Sequence, residues 1–260
     1  MCFSTGWFLD KAIAKSKVEP ENGILSLVVH AAAGSGKTLA SQVAADALIS
    51  NGFVEQVVVL VPRLNLAKQY ELDWAEMSPQ LTWIPSMKPL LHRPNNKSRL
   101  VSANSSGYIT TYQSLCANPR KHMQAIAKKP TLLILDEAHQ LGFDEHNQDI
   151  GKSAQWVQQV GELENVKMIF VMSGTPYRAD DKPLLFAKYG DADAHNRREL
   201  LADLEATYRD GVREQYLRRF EAQLAQGGYE WTDMSGETST LEISDGDASV
   251  YRALQLPRLC

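Results

Sequence analysis

The residues able to do chemistry fall in two short strings. The first is AAAGSGKT, Ala31 to Thr38. A phosphate chain needs several hydrogen-bond donors converging on it. Successive backbone N–H groups in a tight loop that opens a helix supply them, and the helix N-terminus adds partial positive charge. Gly34 and Gly36 suit such a loop, where a side chain would block the approach or the backbone angles required. On this reading the backbone of Ala33, Gly34, Ser35, Gly36, Lys37 and Thr38 cradles the phosphates. Lys37 reaches the β- and γ-phosphates, and the Thr38 hydroxyl faces Mg²⁺. The first position of the usual pattern is Ala31 instead of Gly. The second string is LLILDEAH, Leu132 to His139, an apolar run ending in two adjacent carboxylates. Asp136 is placed to hold Mg²⁺ directly or through water. Glu137 is placed to orient and deprotonate a water that attacks the γ-phosphate. Taken alone, an acidic pair after a strand is an ordinary strand end. A divalent-ion cluster from Asp136, Glu137, His139, Asp144, Glu145 and His146 has suitable residue types but matches no fixed ligand spacing.

Positioning these strings requires a scaffold, and its elements are visible in the apolar pattern. LSLVVH (25–30), QVVVLV (56–61), YITT (108–111), TLLILD (131–136) and KMIFVM (167–172) are short, near-continuous apolar runs. Such strands are buried on both faces, as in a parallel sheet covered by helices on each side. Between them lie helical segments at 37–50, 63–77 and 112–127. The first places Leu39, Val43, Ala44 and Leu48 on one face. Alternating strand and helix reads as a doubly wound α/β domain with a mostly parallel sheet. In such sheets ligands bind beyond the carboxyl ends of the strands, where both strings fall.

Residues 78–107 differ, with four prolines and the basic cluster Lys88, His92, Arg93, Lys97 and Arg99. They read as a loop-rich insertion, equally a solvated surface or a phosphate-contacting face. Residues 195–226 carry charges of both signs with leucines at helical spacing and are expected to form a long helix. Residues 228–244 look like a β-hairpin turning at Ser235-Gly236.

The chain has 260 residues, 27 Lys+Arg against 31 Asp+Glu, a net charge of −4 and 44% apolar residues. That is the balance of a globular protein. It excludes a wholly basic nucleic-acid coat but not a local basic strip. No apolar run is long enough to span a bilayer, and the N-terminus lacks the pattern of a signal peptide. Cys2, Cys116 and Cys260 are scattered and have no zinc or disulfide spacing. A reducing, cytoplasmic setting without membrane contact is the expectation.

Three further strings complete a pattern. LVPRLNLAKQ (60–69), YITTYQSL (108–115) and SGTPYR (173–178) stand in order around the phosphate loop and the DEAH string at 136–139. With these five strings, over residues 25–178, the chain resembles superfamily two DEAD/DEAH-box helicases and translocases, in the branch related to restriction-enzyme motor subunits. The resemblance implies a three-layer RecA-like P-loop lobe at 25–180, which binds ATP and Mg²⁺. An N-terminal segment (1–24) precedes it, and a helix and β-hairpin connector (181–260) leads toward a second lobe.

The resemblance also implies roles. Lys37 and Thr38 bind the triphosphate and Mg²⁺, and Asp136 and Glu137 are the Mg²⁺ holder and the catalytic base. His139 couples the nucleotide site to Ser173 and Thr175. Arg63 and Thr111 touch the backbone of a nucleic acid, DNA favoured over RNA, with Arg120, Lys121, Lys128 and Lys129 as possible helpers. Blander readings stand beside these: Arg63 as a solvated helix start, Thr111 as a helix N-cap, and Ser173 and Thr175 as strand-end caps.

Asp210, Gly211, Val212, Arg213, Phe220, Trp231 and Asp233 match the connector of such relatives. A second RecA-like lobe, in cis or in trans, supplies the arginine that stabilises charge on the transferred phosphoryl group. The implied function is the ATP-binding lobe of a DNA helicase or translocase, an ATPase that drives movement on nucleic acid when completed by that lobe. By itself the chain is expected to hydrolyse ATP slowly or not at all. The alternative is a truncated ATP-binding module without catalysis, regulatory or remnant. A phosphate-loop kinase or GTPase would need an Arg-rich lid or an NKxD base reader, and neither is present. Many relatives read adenine with a glutamine ahead of the phosphate loop, and residues 1–24 contain none. Trp7 and Phe8 fit core packing better than stacking on a base.

Overall fold

Five runs of β-branched and aliphatic residues build the centre of one sheet. A computed structural model describes residues 5–18, 24–77, 91–92, 106–141, 150–178, 182–194, 198–215, 217, 219, 228–232 and 238–242. The sheet is formed by β1 (Ser26–Ala31), β2 (Gln56–Val61), β3 (Leu91–His92), β4 (Gly107–Thr111), β5 (Thr131–Leu135), β6 (Val166–Ser173) and β7 (Leu204–Ala206). Their order across the sheet is β3-β4-β2-β5-β6-β1-β7, and every pairing is parallel.

The period-2 alternation of a strand sends successive side chains into two different cores. Leu27, Val29, Val57, Val59, Val61, Ile134 and Phe170 enter one, which is closed by α1 (Thr5–Ser16), α2 (Lys37–Ser50) and α3 (Leu64–Met77). Val28, Val58, Leu60, Leu133, Leu135 and Val171 enter the other, closed by α4 (Tyr112–Ala117), α5 (Pro119–Ile126) and α6 (Ile150–Gly161). The result is the three-layer, RecA-like α/β arrangement expected from the sequence.

Several local expectations need correction. The helix expected over 112–127 is two helices. Pro119 opens α5, and a proline drives the residue before it out of helical angles; Asn118 stands at φ −140°, ψ 54°. In α2 the buried face is wider than the spacing implied, and Leu39 is exposed. Ala40, Ala44, Ala45, Leu48 and Ile49 are buried, because α2 is covered both by the sheet and by α1. Within residues 1–24, α1 is an integral helix of the first layer. Phe8 is fully buried with its ring edge-on to Phe170 at 5.1 Å, whereas Trp7 is half exposed.

The long helix expected over 195–226 does not form among its described residues. They give strand β7 and the short helix α7 (Tyr208–Arg213), opened by a capping box between Thr207 and Asp210. Pairing with β1 overrides the helical spacing of the leucines, and Leu204 and Ala206 are buried while Glu205 faces out. Asp203 fixes this edge. Its Oδ2 accepts from the Val28 N–H at 2.8 Å and from the Lys15 ammonium at 2.7 Å. One compact unit runs to Arg218. In the second unit, β8 (Gly228–Thr232) and β9 (Thr238–Glu242) pair antiparallel as the expected hairpin. The expected turn at Ser235-Gly236 is outside the described residues, as are Phe220, Asp233 and all of the 78–107 insertion but 91–92 and 106–107.

His122 on α5 gives the fold a pH dependence. Its ring is buried, with Nδ1 3.1 Å from the Tyr108 hydroxyl. Burial, and then the charge of Lys121, lower its pKa to about 4. A histidine that takes a proton in the unfolded chain near pH 6.5, but in the folded chain only near 4, makes stability fall as pH drops between those values. At about pH 5 the loss from this group is about 2 kcal/mol. Urea unfolding of the wild type near pH 7.5 and pH 5 should show it, and His122→Gln should lose correspondingly less on acidification. Equal losses in both proteins would remove His122 as the cause.

Candidate active site

The phosphate loop is the turn between β1 and α2. Gly34 (φ 77°) and Gly36 (φ 90°) both adopt left-handed backbone angles that disfavour any side chain. Gly36 is the N-cap of α2 and offers no capping side chain, so the first-turn N–H groups lack intrahelical acceptors and face the loop. Ala33 and Gly34 are exposed and Thr38 is half-buried, with its carbonyl accepting from the Ser41 hydroxyl at 2.8 Å. The Ser35 hydroxyl is buried without a hydrogen-bond partner among the described residues. The Lys37 ammonium curls back over the loop. It donates to the Ala31 carbonyl at 2.7 Å and the Ala32 carbonyl at 3.3 Å, and it lies 3.7 Å from Glu137 Oε1.

The acidic pair sits at the tip of β5, and β6 lies between β5 and β1. Asp136 is buried, with its N–H on the Leu60 carbonyl and its own carbonyl accepting from the Tyr112 hydroxyl at 2.8 Å. Burial first, and then the Glu137 charge, push the Asp136 carboxyl up to about 7 against the pull of Lys37. Such a carboxylate is short of positive charge, which a divalent cation supplies. Glu137 takes the left-handed conformation (φ 48°, ψ 49°), unusual for a residue with a side chain and a form of strain that gathers at functional sites.

These residues fit a nucleoside triphosphate with its cation. The glycine conformations, the orphaned Ser35 hydroxyl and the Lys37 ammonium suit the phosphates, and Thr38 with Asp136 suits Mg²⁺. No group of three or more metal-ligand side chains is gathered among the described residues. Asp144, Glu145 and His146 of the alternative cluster lie outside them.

The position of β6 explains the coupling residues. Ser173 ends β6 and is paired in register with His30 of β1, so it stands between the phosphate loop and the acidic tip. His139, in the 3-10 turn Ala138–Gln140, has Nδ1 3.3 Å from Glu137 Oε2 and 3.2 Å from Ser173 Oγ. The Ser173 hydroxyl donates to the Thr175 carbonyl at 2.6 Å and accepts from the Thr175 N–H at 3.2 Å. With the Ser173 proton on that carbonyl, the Nδ1 hydrogen of His139 is directed to Ser173 Oγ, with Glu137 Oε2 close beside it. Burial above all lowers the His139 pKa, which favours this neutral ring. Ser173 does cap its strand end, and it also joins Glu137 and His139 to Thr175.

Of the expected nucleic-acid residues, Arg63 and Thr111 lie at the carboxyl ends of neighbouring strands, since Val61 pairs in register with Thr111. Arg63 is exposed just ahead of α3, at the carboxyl end of β2. Thr111 is buried, and its hydroxyl is the N-cap of α4, accepting from the Ser114 N–H at 3.1 Å and donating to Ser114 Oγ at 3.0 Å. The cap is thus present. Lys128 and Lys129 immediately precede β5, at the amino ends of the strands and away from Arg63. Two buried phenols near the acidic tip, those of Tyr70 and Tyr112, have no signal in the local sequence. They come from α3 and α4, and no local pattern links them to residue 136.

Residues 9–178 match the family model of the type III restriction enzyme, res subunit. The chain belongs to that family. As a res-subunit lobe it is of helicase type, an ATPase-like lobe. Among curated proteins it is 27% identical to an uncharacterised protein of Mycobacterium leprae, over 82% of this chain and 33% of that one. It is 29% identical to an uncharacterised protein of Mycobacterium tuberculosis, over 78% and 31% respectively. The chain thus spans about a third of the length of the curated relatives it matches. A similar solved structure is the Sulfolobus solfataricus SWI2/SNF2 ATPase core in complex with dsDNA, at 18% identity and a TM-score of 0.43, covering 68% of this chain and 32% of that one. No helix among the described residues of this res-subunit lobe is long and apolar enough to cross a membrane.

Proposed function

We propose that this chain is the ATP-binding lobe of a nucleic-acid-dependent ATPase, a DNA helicase or translocase. It hydrolyses ATP to drive movement when a second RecA-like lobe completes the site. The observation that carries the reading is the continuous polar chain from the phosphate loop through Lys37, Glu137 and His139 to Ser173 and Thr175. Bound Mg²⁺ supplies charge neutralisation for the β- and γ-phosphates. Lys37 and the loop N–H groups hold the phosphates, Thr38 and Asp136 hold the cation, and Glu137 takes a proton from the attacking water. Neutral His139 keeps Glu137 oriented and ties it to the end of β6. Arg63 and Thr111 meet the backbone of the nucleic acid, and Thr111 also caps the start of α4. Family membership favours DNA over RNA. Residues 181–260 serve as the connector toward the second lobe.

The test is nucleic-acid-stimulated ATPase, assayed for this 260-residue chain and for a longer chain that includes a second lobe. Little turnover is expected from the first and DNA-stimulated turnover from the second. Equal, unstimulated rates in both would favour an ATP-binding module without catalysis.

A further inference from the structure

The proposed nucleotide site has a buried hydroxyl that none of the assigned roles uses. Tyr70 projects from α3, is 3% exposed, and sets its phenol oxygen against the Thr38 and Ser41 hydroxyls near Asp136. It makes no well-formed hydrogen bond among the described residues. Ser41 is already engaged, donating to the Thr38 carbonyl. A buried hydroxyl without a partner lowers stability, so an orphan of this kind calls for a partner in another state of the molecule. The Thr38 hydroxyl provides one. When a threonine oxygen turns a lone pair to a cation, its hydrogen must point elsewhere and needs an acceptor. A phenol oxygen accepts such a bond while keeping its own hydrogen to donate.

We propose that Tyr70 is a positioning residue for the Mg²⁺ site: its phenol oxygen accepts the Thr38 hydrogen and so aims the Thr38 lone pair at the cation. It rests on the reading of Thr38 as a cation ligand. In this role the phenol acts through Thr38 alone, so its effect appears only when the cation is present.

The experiment is a titration of the wild type and Tyr70→Phe with a fluorescent ADP, with Mg²⁺ and with EDTA, alongside thermal unfolding without nucleotide. The wild type should bind more tightly with Mg²⁺. Tyr70→Phe should lose about tenfold of affinity with Mg²⁺ and none in EDTA. Its unfolding midpoint should be unchanged or raised, because an orphan hydroxyl has been removed. An undiminished Mg²⁺ effect in the variant overturns the proposal. So does a parallel loss of metal-free binding and thermal stability, which marks a purely structural tyrosine. A wild type that binds nucleotide but gains nothing from Mg²⁺ also overturns it. A wild type that binds no nucleotide sinks the nucleotide reading itself.

Discussion

Lys37→Ala should lose at least a hundredfold in affinity for ATP or ADP. The Lys37 side chain is 7% exposed, and its ammonium is held over the loop by two carbonyls, at 2.7 and 3.3 Å. Phosphate oxygens are stronger acceptors than carbonyls, and a charge-assisted bond in a partly dry site is worth several times a neutral one. Removing the ammonium also leaves Glu137 and Asp136 without their nearest positive charge. Asp136 is already raised to about 7 with Lys37 present, so its carboxyl should rise further. Titration with fluorescent ADP, with thermal unfolding to verify the fold, measures the effect. A variant that binds within threefold of the wild type would take Lys37 out of the site.

Glu137→Gln should separate binding from chemistry. The substitution keeps size and backbone, so the left-handed conformation at 137 and the close contact with His139 can both persist. It removes the carboxylate that accepts the water proton. General-base catalysis typically contributes a factor of about 10²–10⁴, and DNA-stimulated turnover in the longer chain should fall by that much. ADP affinity should stay within about threefold, because Glu137 meets the phosphates only through Lys37. Hydrolysis at the wild-type rate would mean that another group takes the proton. A parallel loss of binding and turnover would recast Glu137 as a holder of Lys37.

What the sequence by itself determined is whatever depends on contiguous residues. The phosphate loop is readable because left-handed glycines, a lysine and a helix start must be neighbours in the chain. The acidic tip is readable because a strand buried on both faces must be apolar up to the point where it leaves the sheet. The same rule revealed five strands and the three-layer class. Pro119 carried its own warning of a helix break.

Tertiary structure alone decided what depends on pairing between distant segments. β6 lies between β5 and β1, which places Ser173 beside His139. Residues 204–206 join the sheet edge instead of extending a helix, since the exposed backbone of β1 offers hydrogen bonds that outweigh leucine spacing. The Thr111 hydroxyl is tied to Ser114, while Tyr70 and Tyr112 converge near Asp136 from separate helices. Strand order and side-chain convergence are set by the free energy of long-range contacts, which leaves no local periodicity behind.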